Sequence, residues 1–264
     1  MNAIDDPILY EVRDAVAYIT LNRPQSLNAL NPALLARLEE NVDAAADDED
    51  VHVIVFGGAG ERAFSAGVDL KHFQDNDVMQ DVGEHLRFTA RLRDLFLKIE
   101  TVALPTVAAI HGFALAGGLE LALACDFIVC TDDCQIGDQH SNYDLMSGGG
   151  GTQRLPRRIG TQRALELLYS GRRVNGEEAV RIGLAFSTCP PRQLEAAVEA
   201  LVVNLRSKSR TGLGLMKEAV RRGMELPLRE ALDIERLIVQ EYFSCYGEAA
   251  AGVTAFNSRK PAAS

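Results

Sequence analysis

Val102–Leu119 is a run of eighteen residues without a formal charge, and Glu120 follows it at once. Length alone would allow such a run to cross a membrane. Pro105, His111 and three glycines (Gly112, Gly117 and Gly118) interrupt it, however, so it reads as a strand, a turn and the start of a buried helix. PTVAAIHG (105–112) supplies the strand, LELALAC (119–125) a short apolar helix and DFIVC (126–130) a second strand. Continuous apolar strands joined through helices imply a largely parallel sheet covered on its faces, which is an α/β protein.

The same alternation extends to both sides. ILYEV and AVAYITL flank Arg13-Asp14 and predict an opening hairpin. Asn31-Pro32 is an N-cap and first-turn pair, after which Leu34, Leu35, Leu38 and Val42 share one helical face. VHVIVF (51–56) is another buried strand, and Leu92, Leu95, Phe96 and Ile99 mark an amphipathic helix. Thr161 opens a helix that Gly171 stops, Asn175 caps one that ends at Gly183, and AFS (185–187) continues as strand. From about Pro191 onward the pattern is helical only, with Leu194, Val198, Leu201 and Leu205 on one face and a further run at 228–243. The division is an α/β core over 1–200 and a helical C-terminal region over 201–264.

A chain of 264 residues can bury roughly three quarters of its unfolded surface, enough for such a core. Lys+Arg 27 against Asp+Glu 37 gives 27 − 37 = −10, which excludes a basic nucleic-acid binder. Any anionic ligand must then be held by a few local cations or backbone N–H groups. Cys125, Cys130, Cys134, Cys189 and Cys245 are odd in number and lack a zinc-type ligand set, so they predict reduced thiols, no metal and a cytoplasmic location. The opening MNAIDD resembles neither a secretory signal nor a transit peptide.

Two glycine-rich loops carry the chemistry. In GGAGERAFSAGVDL, Gly58, Gly60 and Ala63 superficially fit a dinucleotide fingerprint, but Phe64-Ser65-Ala66-Gly67 keeps the chain irregular where that fold needs a helix. Ser65 also fails as a nucleophile elbow, because Ala63 stands where glycine is required. In HGFALAGGLELALACD, Gly117 and Gly118 open a helix, so their N–H groups lack intrahelical acceptors and suit a developing oxyanion. Glu120 lies in the first turn among Leu and Ala. It is either a charge that stabilises the helix start or a general acid/base on which an apolar wall and a helix N-terminus act in opposite senses.

NRPQSLNAL (22–30), AFSAGVDL (63–70), HGFALAGGLELALACD (111–126) and GGGGTQRLPRRIG (148–160) together resemble the enoyl-CoA hydratase/isomerase family, the crotonases. The likeness runs in order over most of the chain and includes CYGEAAAGVTAFNSRKP at its end. It implies a spiral of ββα units with two sheets, a helical C-terminal trimerisation region, and a homotrimer or dimer of trimers. It also implies an acyl-CoA thioester as substrate, with CoA entering as part of it and no separate cofactor. On this resemblance the N–H groups of Ala66 and Gly117 form the oxyanion hole. Gly67, Val68, Asp69 and Leu70 match the adenine-side loop, and Gln25, Ser26 and Leu27 the segment that passes the CoA arm. Lys71 and Lys260 are the phosphate partners, while Gln25 stands where many relatives carry Lys.

The chain departs from the pattern at one catalytic position. Glu120 matches the first catalytic glutamate of the hydratases, but IGDQHSNYD places His140 where the second belongs. A histidine can move a proton near neutral pH, so His140 could protonate the α-carbon while Glu120 directs water to the β-carbon. It could instead be a loop histidine bonded to backbone. Asp144 is a candidate to orient the imidazole, and Asp138 is a candidate for the acid itself. His111 reads as a structural neighbour of the glycine loop, no partner can be named for His52, His72 or His85, and Arg154, Arg157 and Arg158 read as a solvated helix face. The expected activity is hydration, or double-bond isomerisation, of an enoyl-CoA in fatty-acid or acyl-CoA metabolism. The alternatives are a His140-dependent C–C hydrolase of a β-diketone or β-keto thioester and a catalytically silent acyl-CoA-binding hexamer.

Overall fold

The opening β-branched segments form β1 (Ile8–Arg13) and β2 (Val16–Leu21), an antiparallel pair. Asn31 caps α1 (Pro32–Asp47) by accepting from the Leu34 N–H at 2.9 Å, and the predicted Leu34, Leu35, Leu38 and Val42 face is buried. The computed structural model describes residues 6–76, 78 and 80–258. Beyond α1 it repeats one theme: a long strand, a short strand, then helix. β3 (Val53–Gly58) and β4 (Ala63–Ser65) lead to α2 (Leu70–Asp75) and α3 (Val82–Thr101). β5 (Thr106–Ile110) and β6 (Phe113–Leu115) lead to α4 (Gly117–Ala124). β7 (Phe127–Thr131) and β8 (Gln135–Gly137) lead to α5 (Gly151–Ile159), α6 (Thr161–Ser170) and α7 (Gly176–Arg181). β9 (Ser187–Cys189) and α8 (Leu194–Arg206) follow.

The long strands make a six-stranded sheet in the order β1-β2-β3-β5-β7-β9, parallel throughout after the opening hairpin. The short ones make a separate parallel sheet, β4-β6-β8. Each circuit of the chain therefore adds one strand to each sheet, which is the spiral of ββα units. Passing from one sheet to the other needs tight crossings. At Gly112 (φ +54) a Cβ would stand 2.1 Å from the Arg62 carbonyl oxygen, so only glycine lets the chain turn there. Because β4, β6 and β8 are parallel neighbours, the segments leaving their C-terminal ends, 66–69, 116–117 and 138–140, emerge side by side. Ligands of α/β sheets gather at such an edge.

The chain divides into two units between Arg206 and Ser207. The second unit contains α9 (Arg210–Gly223), α10 (Leu228–Cys245) and α11 (Glu248–Ser258). α9 packs against α10, and Met216 and Val220 of α9, Met224 just after it, and Leu232 and Phe243 of α10 remain exposed.

Candidate active site

The segment after β4 is braced from 22–30. Buried Asn28 donates to the carbonyls of Ala63 (2.7 Å) and Ala59 (3.0 Å), and its Oδ1 accepts from the Arg23 N–H (2.9 Å). Arg23 in turn donates to the Ala29 carbonyl (2.6 Å) and pairs with Asp69 at 2.8 Å. Asp69 also caps α2 by accepting from the His72 N–H. Burial resists the charge of Asp69, but the His72 amide and the Arg23 guanidinium hold its carboxyl below the usual carboxylate value. The carboxylate therefore braces the two loops against each other.

The free amide on this loop lies two residues beyond the expected Ala66. The Ala66 N–H donates to the Leu27 carbonyl at 2.9 Å, so it is not available to a thioester. The reason is a ladder between the loops: Leu30 N–H donates to Gly67 O (2.8 Å) and Asp69 N–H to Leu30 O (2.9 Å). Successive amides of an extended strand point to opposite sides, so, with the Asp69 N–H on Leu30, the Val68 N–H faces away from it. It has no acceptor among the described residues, and Val68 lines a cleft. Gly67, at φ +96, brings this strand against the other loop: a Cβ there would lie 2.9 Å from the Gly117 nitrogen. A Cβ on Gly117 would in turn lie 3.4 Å from the Val68 nitrogen. Ala116, at φ 48 and ψ −117, turns the end of β6 into α4, whose first N–H is that of Gly117. Val68 and Gly117 thus supply the adjacent free amides.

Glu120 is 1% exposed in α4, every residue of which is buried. Its Oε1 accepts from Ser147 Oγ (2.5 Å) and from the N–H groups of Gly149 and Gly151 (2.8 Å each). Oε2 has no partner among the described residues and the side chain lines the cleft. The glycines have a steric cause as well, since a Cβ on Gly149 would meet Glu120 Oε2 at 2.8 Å and the Leu92 and Phe96 side chains at 2.9 Å. Arg154 anchors this turn, donating to Gly149 O (2.8 Å) while paired with Glu100 (2.8 Å). Arg158 donates to Cys125 O at 2.7 Å. Both arginines point into the fold, which corrects the expected solvated face; Arg157 alone remains exposed on it.

His140 opens a short turn, His140–Tyr143, directly after β8. Its Nδ1 donates to Asp138 Oδ1 at 2.9 Å, and its backbone N–H donates to the same oxygen at 3.2 Å. Asp138 is 2% exposed, and its Oδ2 is buried with no hydrogen-bond partner among the described residues. Burial pulls the imidazole toward its neutral form, but the bond and charge of Asp138, with the charge of Glu120, win and raise its pKa above the ordinary histidine value. Asp144 does not orient this ring. It sits exposed at the far end of the turn, at φ 56, with its backbone N–H bonded to the turn's carbonyls.

The cleft encloses about 350 Å³, and Ala66, Val68, Leu70, Glu120 and His140 line it. Gln25 and Lys71 are exposed and outside the lining, Leu27 serves through its carbonyl, and Lys260 lies outside the described residues. Residue patterns gave no sign of three further members. His85 lines the cleft with its ring edge-on to Phe73 at 6.0 Å, and Arg173, bonded to Gln139 Oε1 (3.1 Å), lies 5.2 Å from the Phe113 ring centre. Ser147 acts through Glu120. Ser147 was foreseeable only as a hydroxyl beside the glycine run, whereas the other two sit in ordinary helix and loop contexts. His111 stays outside the lining, with burial lowering its pKa, and His52 bonds the Arg206 carbonyl.

Among the described residues no group of three or more His, Cys, Asp or Glu could hold a metal ion, and no helix is long and apolar enough to cross a membrane. Comparison with known proteins agrees with the geometry. The family model described as enoyl-CoA hydratase/isomerase matches residues 11–263. The chain is 34% identical over 257 residues to the crotonyl-CoA hydratase of Syntrophomonas wolfei, covering 97% of this chain and 96% of that protein. It is 31% identical over 237 residues to the short-chain-enoyl-CoA hydratase of Clostridium acetobutylicum, covering 90% and 89%. The crystal structure of an enoyl-CoA hydratase from Bacillus anthracis superposes with a TM-score of 0.90 at 32% identity, covering 95% of this chain and 96% of that one. With this agreement along nearly its whole length, the chain belongs to the enoyl-CoA hydratase/isomerase family.

Proposed function

We propose that the protein hydrates 2-enoyl-CoA thioesters, with Val68 and Gly117 holding the thioester oxygen and Glu120 and His140 moving the protons. The observation that carries this reading is the pair of neighbouring, unbonded amides beside a buried glutamate and an aspartate-braced histidine. The two N–H groups polarise the carbonyl and stabilise the enolate that forms when water adds to the β-carbon; one such donor is typically worth about 2.7–4 kcal/mol. Glu120, its Oε1 fixed by three donors, offers Oε2 to the attacking water and takes its proton. His140, with Nδ1 committed to Asp138, carries a proton on Nε2 to the α-carbon. The raised pKa suits it to this part, since the imidazolium must persist near neutral pH. The proton on Glu120 then returns to His140 through solvent, and no cofactor is consumed.

The test is to add enzyme to crotonyl-CoA and follow loss of the conjugated thioester absorbance, with 3-enoyl and β-keto thioesters assayed beside it by mass spectrometry. Loss of absorbance with formation of the 3-hydroxy product supports hydration. Turnover of the 3-enoyl substrate alone assigns isomerisation, and binding without any conversion assigns a silent acyl-CoA binder. A second reading, C–C hydrolysis of a β-keto thioester with His140 as base, draws on the Asp138–His140 pair, and cleavage in the β-keto arm alone would establish it. The family resemblance and the exposed apolar side chains of α9 and α10 support a homotrimer or dimer of trimers, which light scattering on the eluted protein would measure. Five free thiols support a reducing, cytoplasmic location.

A further inference from the structure

Four consecutive glycines, Gly148–Gly151, form the turn that faces Glu120, and only Gly149 and Gly151 donate to its carboxylate. Glycine is costly to order, so each member of such a run needs a cause. Packing supplies one at every position. A Cβ on Gly148 would lie 3.0 Å from Thr89 Cγ2, and one on Gly149 would lie 2.9 Å from the Leu92 and Phe96 side chains. A Cβ on Gly150, at φ +109, would fall 2.2 Å from Arg154 Nη1, and one on Gly151 would fall 2.4 Å from Ser147 Oγ. Thr89, Leu92, Phe96 and Glu100 follow one another at helical spacing and make a single stripe along α3. The first three press directly on the turn. Glu100 reaches it through Arg154, which donates from Nε to Glu100 and from Nη1 to Gly149 O, at 2.8 Å each. The two side chains are largely shielded from water, at 13% and 18% exposure. Gly149 is therefore gripped at both polar groups, its carbonyl by Arg154 and its N–H by Glu120.

Resting on the hydration reading of the site, we infer that Arg154 and Glu100 are positioning residues for Glu120. Through the glycine turn they lock the α3 stripe to the donors on Oε1 and so keep Oε2 aimed into the cleft. Neither side chain lines the cleft, so the pair acts on the proton-transfer step and not on substrate binding. A reacting group displaced by about 1 Å loses about a hundredfold in rate. The experiment compares the parent with Glu100→Gln and with the double variant Arg154→Met/Glu100→Leu on crotonyl-CoA. The double variant exchanges a shielded ion pair for apolar side chains, which folds tolerate far better than one buried charge left alone, but it gives Gly149 O no donor. Its Tm stays close to the parent's while kcat falls at least about tenfold and KM moves by less than about threefold. Glu100→Gln, which keeps an acceptor for Arg154, loses less kcat with the same constancy of KM. An unchanged kcat in either variant, or a loss carried by KM, overturns the inference. Hydrogen exchange at the Gly149 and Gly151 amides reads the clamp without turnover and separates it from the hydration reading. Exchange at least about tenfold faster in the double variant sustains the clamp on Glu120 even if the parent hydrates no enoyl thioester, and unchanged protection overturns it whatever the rate.

Discussion

Glu120 and His140 face the same cleft but are held in opposite ways. Glu120 receives three hydrogen bonds on one oxygen from a single turn, Ser147–Gly151, which Arg154 ties to Glu100. His140 receives its support from one carboxylate two residues before it, whose other oxygen has no hydrogen-bond partner among the described residues. The first arrangement fixes position with neutral donors and leaves the second carboxylate oxygen open. The second fixes charge, because Asp138 both orients the ring and stabilises its proton. On the proposed hydration reading, one group accepts a proton and the other parts with one.

The largest expected effect is on the accepting side. Glu120→Gln slows crotonyl-CoA hydration at least about a hundredfold, the scale of a positioned acid/base; equal rates in variant and parent would remove Glu120 from the mechanism. His140→Ala is expected to lose about as much, and normal turnover there would confine the histidine to a structural part. Asp138→Asn sharpens the contrast. It lowers the rate about tenfold or more, and because the acid form of His140 is required, the fall of kcat/KM with rising pH moves to lower pH. An NMR titration of the His140 ring checks that shift directly. Ser147→Ala removes one of three bonds to Glu120, and a charged hydrogen bond is worth about 1.5–3 kcal/mol, so an intermediate loss of kcat with little change in KM is expected.

The smallest effect is on stability. A group whose pKa is raised by folding stabilises the native state fully below its unfolded value, about 6.5 for histidine, and loses that contribution as pH rises through the folded value. The wild-type Tm should therefore fall between about pH 6 and pH 9 by more than that of Asp138→Asn, as calorimetry would show. Identical falls would mean that the Asp138–His140 pair adds nothing to the fold.

The elements long enough to show a period were legible in the residues alone: the opening hairpin, the Asn31 cap, the stripe of α3 and the helix ends at Gly171 and Gly183. The β4-β6-β8 sheet was not, because AFS, FAL and QIG are three residues each and three residues carry no alternation. Glu120 stood out as a charge among Leu and Ala, and His140 by its place in a motif. Which aspartate serves His140 was hidden, since Asp138 and Asp144 differ only in how the chain turns at Gln139 and Asp144, both at positive φ. The Ala66 assignment failed for a related reason, because no side chain reports which way a peptide N–H points.

That last point reaches further than one position. The N–H of residue 68 is aimed by the ladder to Leu30, not by the valine side chain, which packs on the core and lines the cleft. On the proposed reading an amide donor leaves no letter behind, and proline at 68 is the substitution that removes the donor itself.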